Sequence, residues 1–189
     1  MADTKQTITD FYRVAGVRDF ARDFQFRVQG IDGIPELSGP GAGQEEDLVY
    51  IRGASLPGRT IASHNVPYMG LQFHVPGSVS YPDSGNWSVT FYCDQKSTIR
   101  QKLERSMQTY FDDDTSTGDY RTPGAGAVIT LVQLDHELDP VATYKLVGAF
   151  PTTVGAMNYS IGDGSGAPVT FDVSFSYQYW RRTSASNAE

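Results

Sequence analysis

The sequence predicts a mainly β domain with antiparallel strands and one inserted helix. Three observations predict it. Apolar and polar residues alternate with a period of two in several short runs, and that period marks a half-buried strand. The chain carries 19 Gly and 10 Pro beside 10 Phe and 11 Tyr, a composition of many turns and many sheet-favouring aromatics. Only one stretch, mid-chain, has apolar residues at helical spacing.

The elements follow in order. Thr9–Ala15 has the makings of a short helical turn or an arm. Phe24, Phe26 and Val28 alternate with Asp23, Gln25, Arg27 and Gln29, which predicts the first strand. Residues 30–46, with five Gly and Pro between Gly33 and Gly41 and then Glu45-Glu46-Asp47, read as a polar loop. Leu48–Arg52 resumes a strand, and Leu56-Pro57-Gly58 turns it. A strand over Met69–Val75 puts Leu71, Phe73 and Val75 on one face.

Asp83–Asn86 reads as a turn. In the next run Trp87, Val89, Phe91 and Cys93 share a face opposite Ser88, Thr90 and Tyr92, the cleanest alternation in the chain. A helix is expected over 95–111, with Asp94 as N-cap and Ile99, Leu103, Met107, Tyr110 and Phe111 on its apolar side. Residues 112–127 form a second polar loop. Val128–Leu134 and Val141–Phe150 read as strands about the turn 136–140, and Phe150-Pro151-Thr152-Thr153-Val154-Gly155 as a tight turn. After the loop 162–166, a long strand Phe171–Trp180 closes the fold, and 181–189 is a polar tail. There is no internal repeat, so one domain over 1–189 is expected.

The 189 residues are 39% hydrophobic and 20% charged, enough for a sizeable core and against global disorder. The formal net charge of -7 argues against tight binding of a phosphate backbone. Cys93 is the single cysteine, so no internal disulfide forms. It sits in phase with a strand's apolar face, which favours a small buried hydrophobe over a reactive thiol. The polar start and the lack of an apolar run of about 20 residues argue against a signal peptide or a membrane span and point to assembly in a cytoplasm.

Chemistry-bearing constellations are absent. His64, His74 and His136 are scattered, with no ligand spacing. Asp112-Asp113-Asp114 lacks a calcium-loop pattern. Gly162-x-Gly-x-Gly precedes a strand, so no helix N-terminus stands ready for a phosphate. Arg181-Arg182 alone is a weak nucleic-acid signal. No catalytic residue, metal or cofactor is expected.

Six blocks in order carry a resemblance. They are Asp19–Arg22 with Phe24–Val28; Gly53–Gly58; Val66–Gly70; Trp87–Phe91 leading into Ile99–Leu103; Gly148–Gly155; and the closing strand to Tyr179-Trp180. Together they resemble the tail tube proteins of contractile-tailed bacteriophages, over about residues 18–180. The loops 30–46 and 112–127 depart from compact members.

The resemblance implies a structural virion protein of the tail, not an enzyme. Its barrel-like fold would contribute strands to one inner β-barrel shared by a hexameric ring. Stacked rings would form a conduit inside a contractile sheath. Implied partners are the chain itself, the tail sheath protein, a baseplate or tube initiator and tail terminator proteins. Phage DNA would pass through without specific binding, and an acidic lumen, with Asp172, Ser174, Ser176 and Gln178 as its wet wall, would repel it. Ring contacts are expected at Leu56, Pro57 and Gly58, and at Phe150, Pro151, Thr152, Val154 and Gly155. The helix face with Arg100, Glu104 and Arg105 is expected to meet the sheath, and the loops 30–46 and 112–127 to reach the next ring.

Two other readings remain open at this point. One is a specialised tube component, either a baseplate-proximal initiator or the tube of a phage-like contractile injection machine. The other is a β-barrel ligand-binding module, with Tyr177, Tyr179 and Trp180 as stacking residues.

Overall fold

Two four-stranded antiparallel sheets pack face to face around one core. The computed structural model describes residues 8–16, 20–37, 47–162 and 166–184. Residues 38–46 of the expected loop 30–46, with Glu45 and Glu46 of its acidic run, the loop centre 163–165 and the tail end 185–189 lie outside the described residues.

In chain order the elements are α1 (Ile8–Ala15), β1 (Phe26–Asp32), β2 (Ile51–Ala54), β3 (Thr60–Tyr68), β4 (Leu71–Ser80) and β5 (Trp87–Tyr92). There follow α2 (Thr98–Tyr110), β6 (Phe111–Asp112), β7 (Thr117–Gly118), β8 (Val128–Leu134), β9 (Pro140–Val147), β10 (Phe150–Val154), β11 (Thr170–Ser176) and β12 (Tyr179–Ser184). The first sheet has the order β1-β8-β9-β12 and the second β10-β11-β5-β2; β3–β4 and β6–β7 are separate two-stranded hairpins.

The alternation read in β5 and β11 is present. Trp87, Val89 and Phe91 from β5 meet Phe171, Val173 and Phe175 from β11 on the buried side, with Phe91 stacked on Phe171 at 5.7 Å between ring centroids. The first sheet answers with Val28, Ile31, Ile129, Leu131 and Leu146. Ile99 and Leu103 of α2, with Ile34 and Leu37 beyond β1, join the same core. A period of two thus buries every second side chain of β5 and β11, while β8 is buried at four consecutive residues, Ile129–Val132, and the two sheets form a sandwich.

Two long strands expected from sequence are each broken. The expected strand 141–150 ends at Val147, and the expected strand 171–180 ends at Ser176 and restarts at Tyr179. Both breaks carry the chain from one sheet to the other. Gly148 makes the first corner at φ +69, and a Cβ there would lie 2.7 Å from Gln178 Cγ, so only glycine fits without strain. The Gln178 N–H donates to Val147 O, tying the two corners together.

The Phe-Pro segment is therefore a strand rather than a turn. The turn lies one step earlier, at Gly148-Ala149, and β10 pairs with β11 through Pro151↔Phe175, with a bulge before Thr153. The tail is likewise shorter than read, since 181–184 belong to β12.

Smaller corrections share one cause, tertiary pairing overriding local pattern. β1 starts at Phe26, leaving Phe24 exposed and Gln25 buried, because Gln25 O accepts the Leu134 N–H. The strand also runs to Asp32, into the expected loop. Only Ile51 and Arg52 of the expected strand 48–52 enter β2. α2 begins at Thr98, with Ser97 as N-cap in the left-handed region and Asp94 one turn earlier. Asp94 still serves the helix start. Burial works to raise its pKa, but hydrogen bonds from Thr98 and Ile99 prevail and hold the carboxyl below its ordinary value. Phe111, expected in the helix, leaves it and opens β6. Cys93 falls just past β5, half-buried, its Sγ near Asp94 O and Ser97 Oγ.

Candidate assembly surfaces

Leu56-Pro57-Gly58 lies at the base of the β3–β4 hairpin and is gripped from two sides. The Trp87 indole N–H donates to Ser55 O at 2.8 Å, and the Trp180 indole N–H donates to Gly58 O at 2.9 Å. Gly58 N donates to Asp83 Oδ2. Pro57 is buried and Leu56 is exposed. Both tryptophans thus anchor the hairpin base to the sandwich. Trp180 also meets Tyr81 edgewise at 6.3 Å and Tyr144 at a tilt at 5.6 Å.

Phe150–Gly155 sits at one edge of the second sheet. Pro151 is buried, Thr152 Oγ1 donates to Ser174 O, and Phe150 packs on Tyr110 of α2. Gly155 O accepts from Arg100 Nη1 at 2.6 Å. Arg100 also pairs with Glu104 and lies 5.9 Å over the Phe171 ring. Of the three helix residues singled out, Arg100 is thus half-buried in intrachain contacts, while Glu104 and Arg105 are exposed. The second polar loop holds the small β6–β7 hairpin, where a hydrogen bond from Arg121, reinforced by its charge, lowers the pKa of Asp119 to about 2.

The feature that sequence reading missed is the length of the β3–β4 hairpin. Its register pairs His64 with Val75, Val66 with Phe73 and Tyr68 with Leu71. Residues paired across a ladder share a face, so Val66, Tyr68, Leu71, Phe73 and Val75 form one apolar stripe. Asn65, Pro67, Gln72 and His74 occupy the other side. The stripe is bare: Leu71 is 63% exposed and Met69, at the tip, 86%. The signal was present in sequence. Two strand-like runs flank Met69-Gly70, a two-residue link whose residues both take positive φ (50 and 81), as a tight hairpin turn requires. The expected grouping of Leu71, Phe73 and Val75 on one face holds.

Other apolar groups are also uncovered. α1 buries no residue, and Phe11 stacks on Phe20 at 6.1 Å while both remain exposed. An apolar, unpartnered arm on a tightly packed sandwich is a building block's surface, since monomeric proteins rarely expose such contiguous patches. Among the described residues, no three His, Cys, Asp or Glu side chains are placed to share a metal ion.

The geometry defines a structural β-sandwich subunit with surfaces left over for assembly. The chain belongs to the phage tail tube protein family, whose model matches residues 23–183. It is a tail tube structural subunit, and that family is one of virion tail components. No curated protein matches the sequence.

Solved structures share the fold at low identity. The chain is similar to one in the anti-feeding prophage tube terminating cap, with TM-score 0.58, 12% identity, 98% of this chain and 100% of that one covered. It is similar to one in the sheath/tube terminator of the extracellular contractile injection system PVC, with TM-score 0.56, 13% identity and coverage of 89% and 99%. A chain of the PVC sheath-tube complex gives TM-score 0.52, 11% identity and coverage of 96% and 100%.

Proposed function

We propose that this chain assembles with itself into hexameric rings that stack into the tail tube, inside a contractile sheath. Phage DNA passes through the bore without specific recognition. The sheath protein, a baseplate or tube initiator and a terminator are its further partners, and assembly takes place in the host cytoplasm. The observation that carries this reading is the β3–β4 arm. Its apolar stripe gains nothing from the subunit's own core and is costly to leave in water, at roughly 25 cal/mol per Å² of apolar surface. A second copy is the partner that a tube subunit always has at hand.

The test is Leu71→Asp with Phe73→Asp. The variant is expected to keep the parent's circular dichroism and melting temperature within about 2 °C, because both positions are exposed and far from the core. It is expected to form no stacked rings or rods by electron microscopy at concentrations where the parent does. Rods of normal length from this variant would remove the arm from the assembly interface.

A further inference from the structure

Resting on the reading that a second copy covers the β3–β4 arm, we infer that the arm carries a protonation switch at His64. The neutral imidazole lets the apolar stripe be covered, and the imidazolium opposes it.

The arm is set apart by its charge. The whole hairpin, Thr60–Ser80, holds no Asp, Glu, Lys or Arg, in a chain that is 20% charged. Arg59 lies just before it and Asp83 a little beyond it. Near neutral pH the arm's charge is therefore set by His64 and His74, because histidine is the side chain that changes charge between pH 5 and 8. An apolar surface gains by leaving water, whereas a charged group on it that finds no partner loses heavily.

The register separates the two histidines. His74 pairs with Asn65 on the arm's polar side, with Ser63 Oγ 3.5 Å from its Nδ1. A charge there keeps polar neighbours and water. His64 pairs with Val75 and so stands on the stripe's face, next in line to Val66. Its ring lies across Gly77, where a Cβ would come within 2.4 Å of Cδ2 and 2.5 Å of Nε2. The imidazole thus fills the space that a side chain at 77 would take. It is part of the arm's own surface, and whatever covers Val66 and Val75 covers it too.

No counter-charge is built in for it. On β3, Tyr68 is the other titratable group on the face, about 13 Å toward the tip at roughly 3.3 Å per residue. On β4, which pairs with β3, Leu71, Phe73, Val75 and Gly77 carry no titratable group. At the base, Asp83 accepts from the Gly58 N–H and Arg59 is exposed. Among the described residues, His64 enters no ion pair.

The direction of the pH effect follows. Apolar cover disfavours the charged form of an imidazole, so the assembled state holds the proton less tightly and the free subunit binds more protons. Assembly strength is then complete above the ordinary histidine range, near pH 6.5, and is lost as pH falls through it. One proton per subunit makes the loss at most about tenfold per pH unit.

The test is the concentration needed for rods, read by sedimentation velocity and electron microscopy at about pH 7.5 and 5.5. For the parent it is expected to rise about tenfold at the lower pH. For His64→Gln, neutral at both, it is expected to change less than about twofold, while His74→Gln and His136→Gln keep the parent's response. The readout is the ratio between the two pH values, so a packing cost of the substitution, equal at both, cancels. Independently, assembly of the parent in weakly buffered solution near pH 6.5 should release about half a proton per subunit. A parent that assembles equally well, or better, at the lower pH overturns the switch and leaves the tube reading standing. So does a full response in His64→Gln, or one lost in His74→Gln or His136→Gln instead. A parent that forms no rods at any pH overturns both.

Discussion

Tyr177 occupies the corner where β11 ends and the chain turns toward β12, and its ring is buried with the hydroxyl lacking a hydrogen-bond partner. Burial, with the nearby charges of Asp83 and Tyr81, raises its pKa from the ordinary 10.0 to about 12. The folded state therefore favours the neutral phenol. Because the folded pKa lies above the unfolded one, this contribution is complete below pH 10 and is lost as pH rises toward 12. Thermal melts are expected to show a drop across that window that Tyr177→Phe abolishes. At neutral pH the same substitution should be close to neutral in stability, because the hydroxyl it removes has no partner to lose. A Tyr177→Phe chain with the parent's full alkaline sensitivity would assign that sensitivity to another group.

At the scale of elements, the start of α2 shows how a side chain can support a helix without standing at its N-cap. Ser97 takes the cap position with φ 54 and makes no side-chain cap hydrogen bond, so Asp94 supplies the acceptor from one turn away. Asp94→Ala is expected to cost about 1 kcal/mol in urea unfolding, the usual worth of a cap. Asp94→Asn should recover part of it, since its amide oxygen still accepts. The sequence made the helix, its apolar positions Ile99 and Leu103, and the β5 and β11 faces legible, because each obeys a local period. It hid the breaks at Gly148 and Gln178, because the alternation Phe171, Val173, Phe175, Tyr177 runs straight through the second corner. Long-range hydrogen bonds mark it, from Gln178 to Val147 and from Ser176 and Tyr177 to Ser84 O. The Phe150–Gly155 segment was misread as a turn for a related reason: a proline within a strand is tolerated at an edge, and β10 is an edge. Which residues meet another copy was the least legible feature, since exposure of Leu71 or Val66 is a property of the folded surface and not of the pattern.

Over the whole molecule, stability is divided between a shared core and projections that contribute little to it. The core joins both sheets and α2 in one cluster, while all but two residues of β3 and β4 are exposed. Backbone amides therefore should open in two classes, with local opening of the arm far below the free energy of global unfolding. In the isolated subunit, hydrogen exchange is expected to be slowest in β5, β8 and β11. It should be faster by several orders of magnitude in Val66–Val75, where the hairpin's own ladder is the only restraint. Assembly should reverse that contrast, slowing the arm toward the core class, because the stripe of Val66, Tyr68, Leu71 and Phe73 would then be covered. An arm that exchanges as fast after assembly as before it would remove the β3–β4 hairpin from the assembly interface.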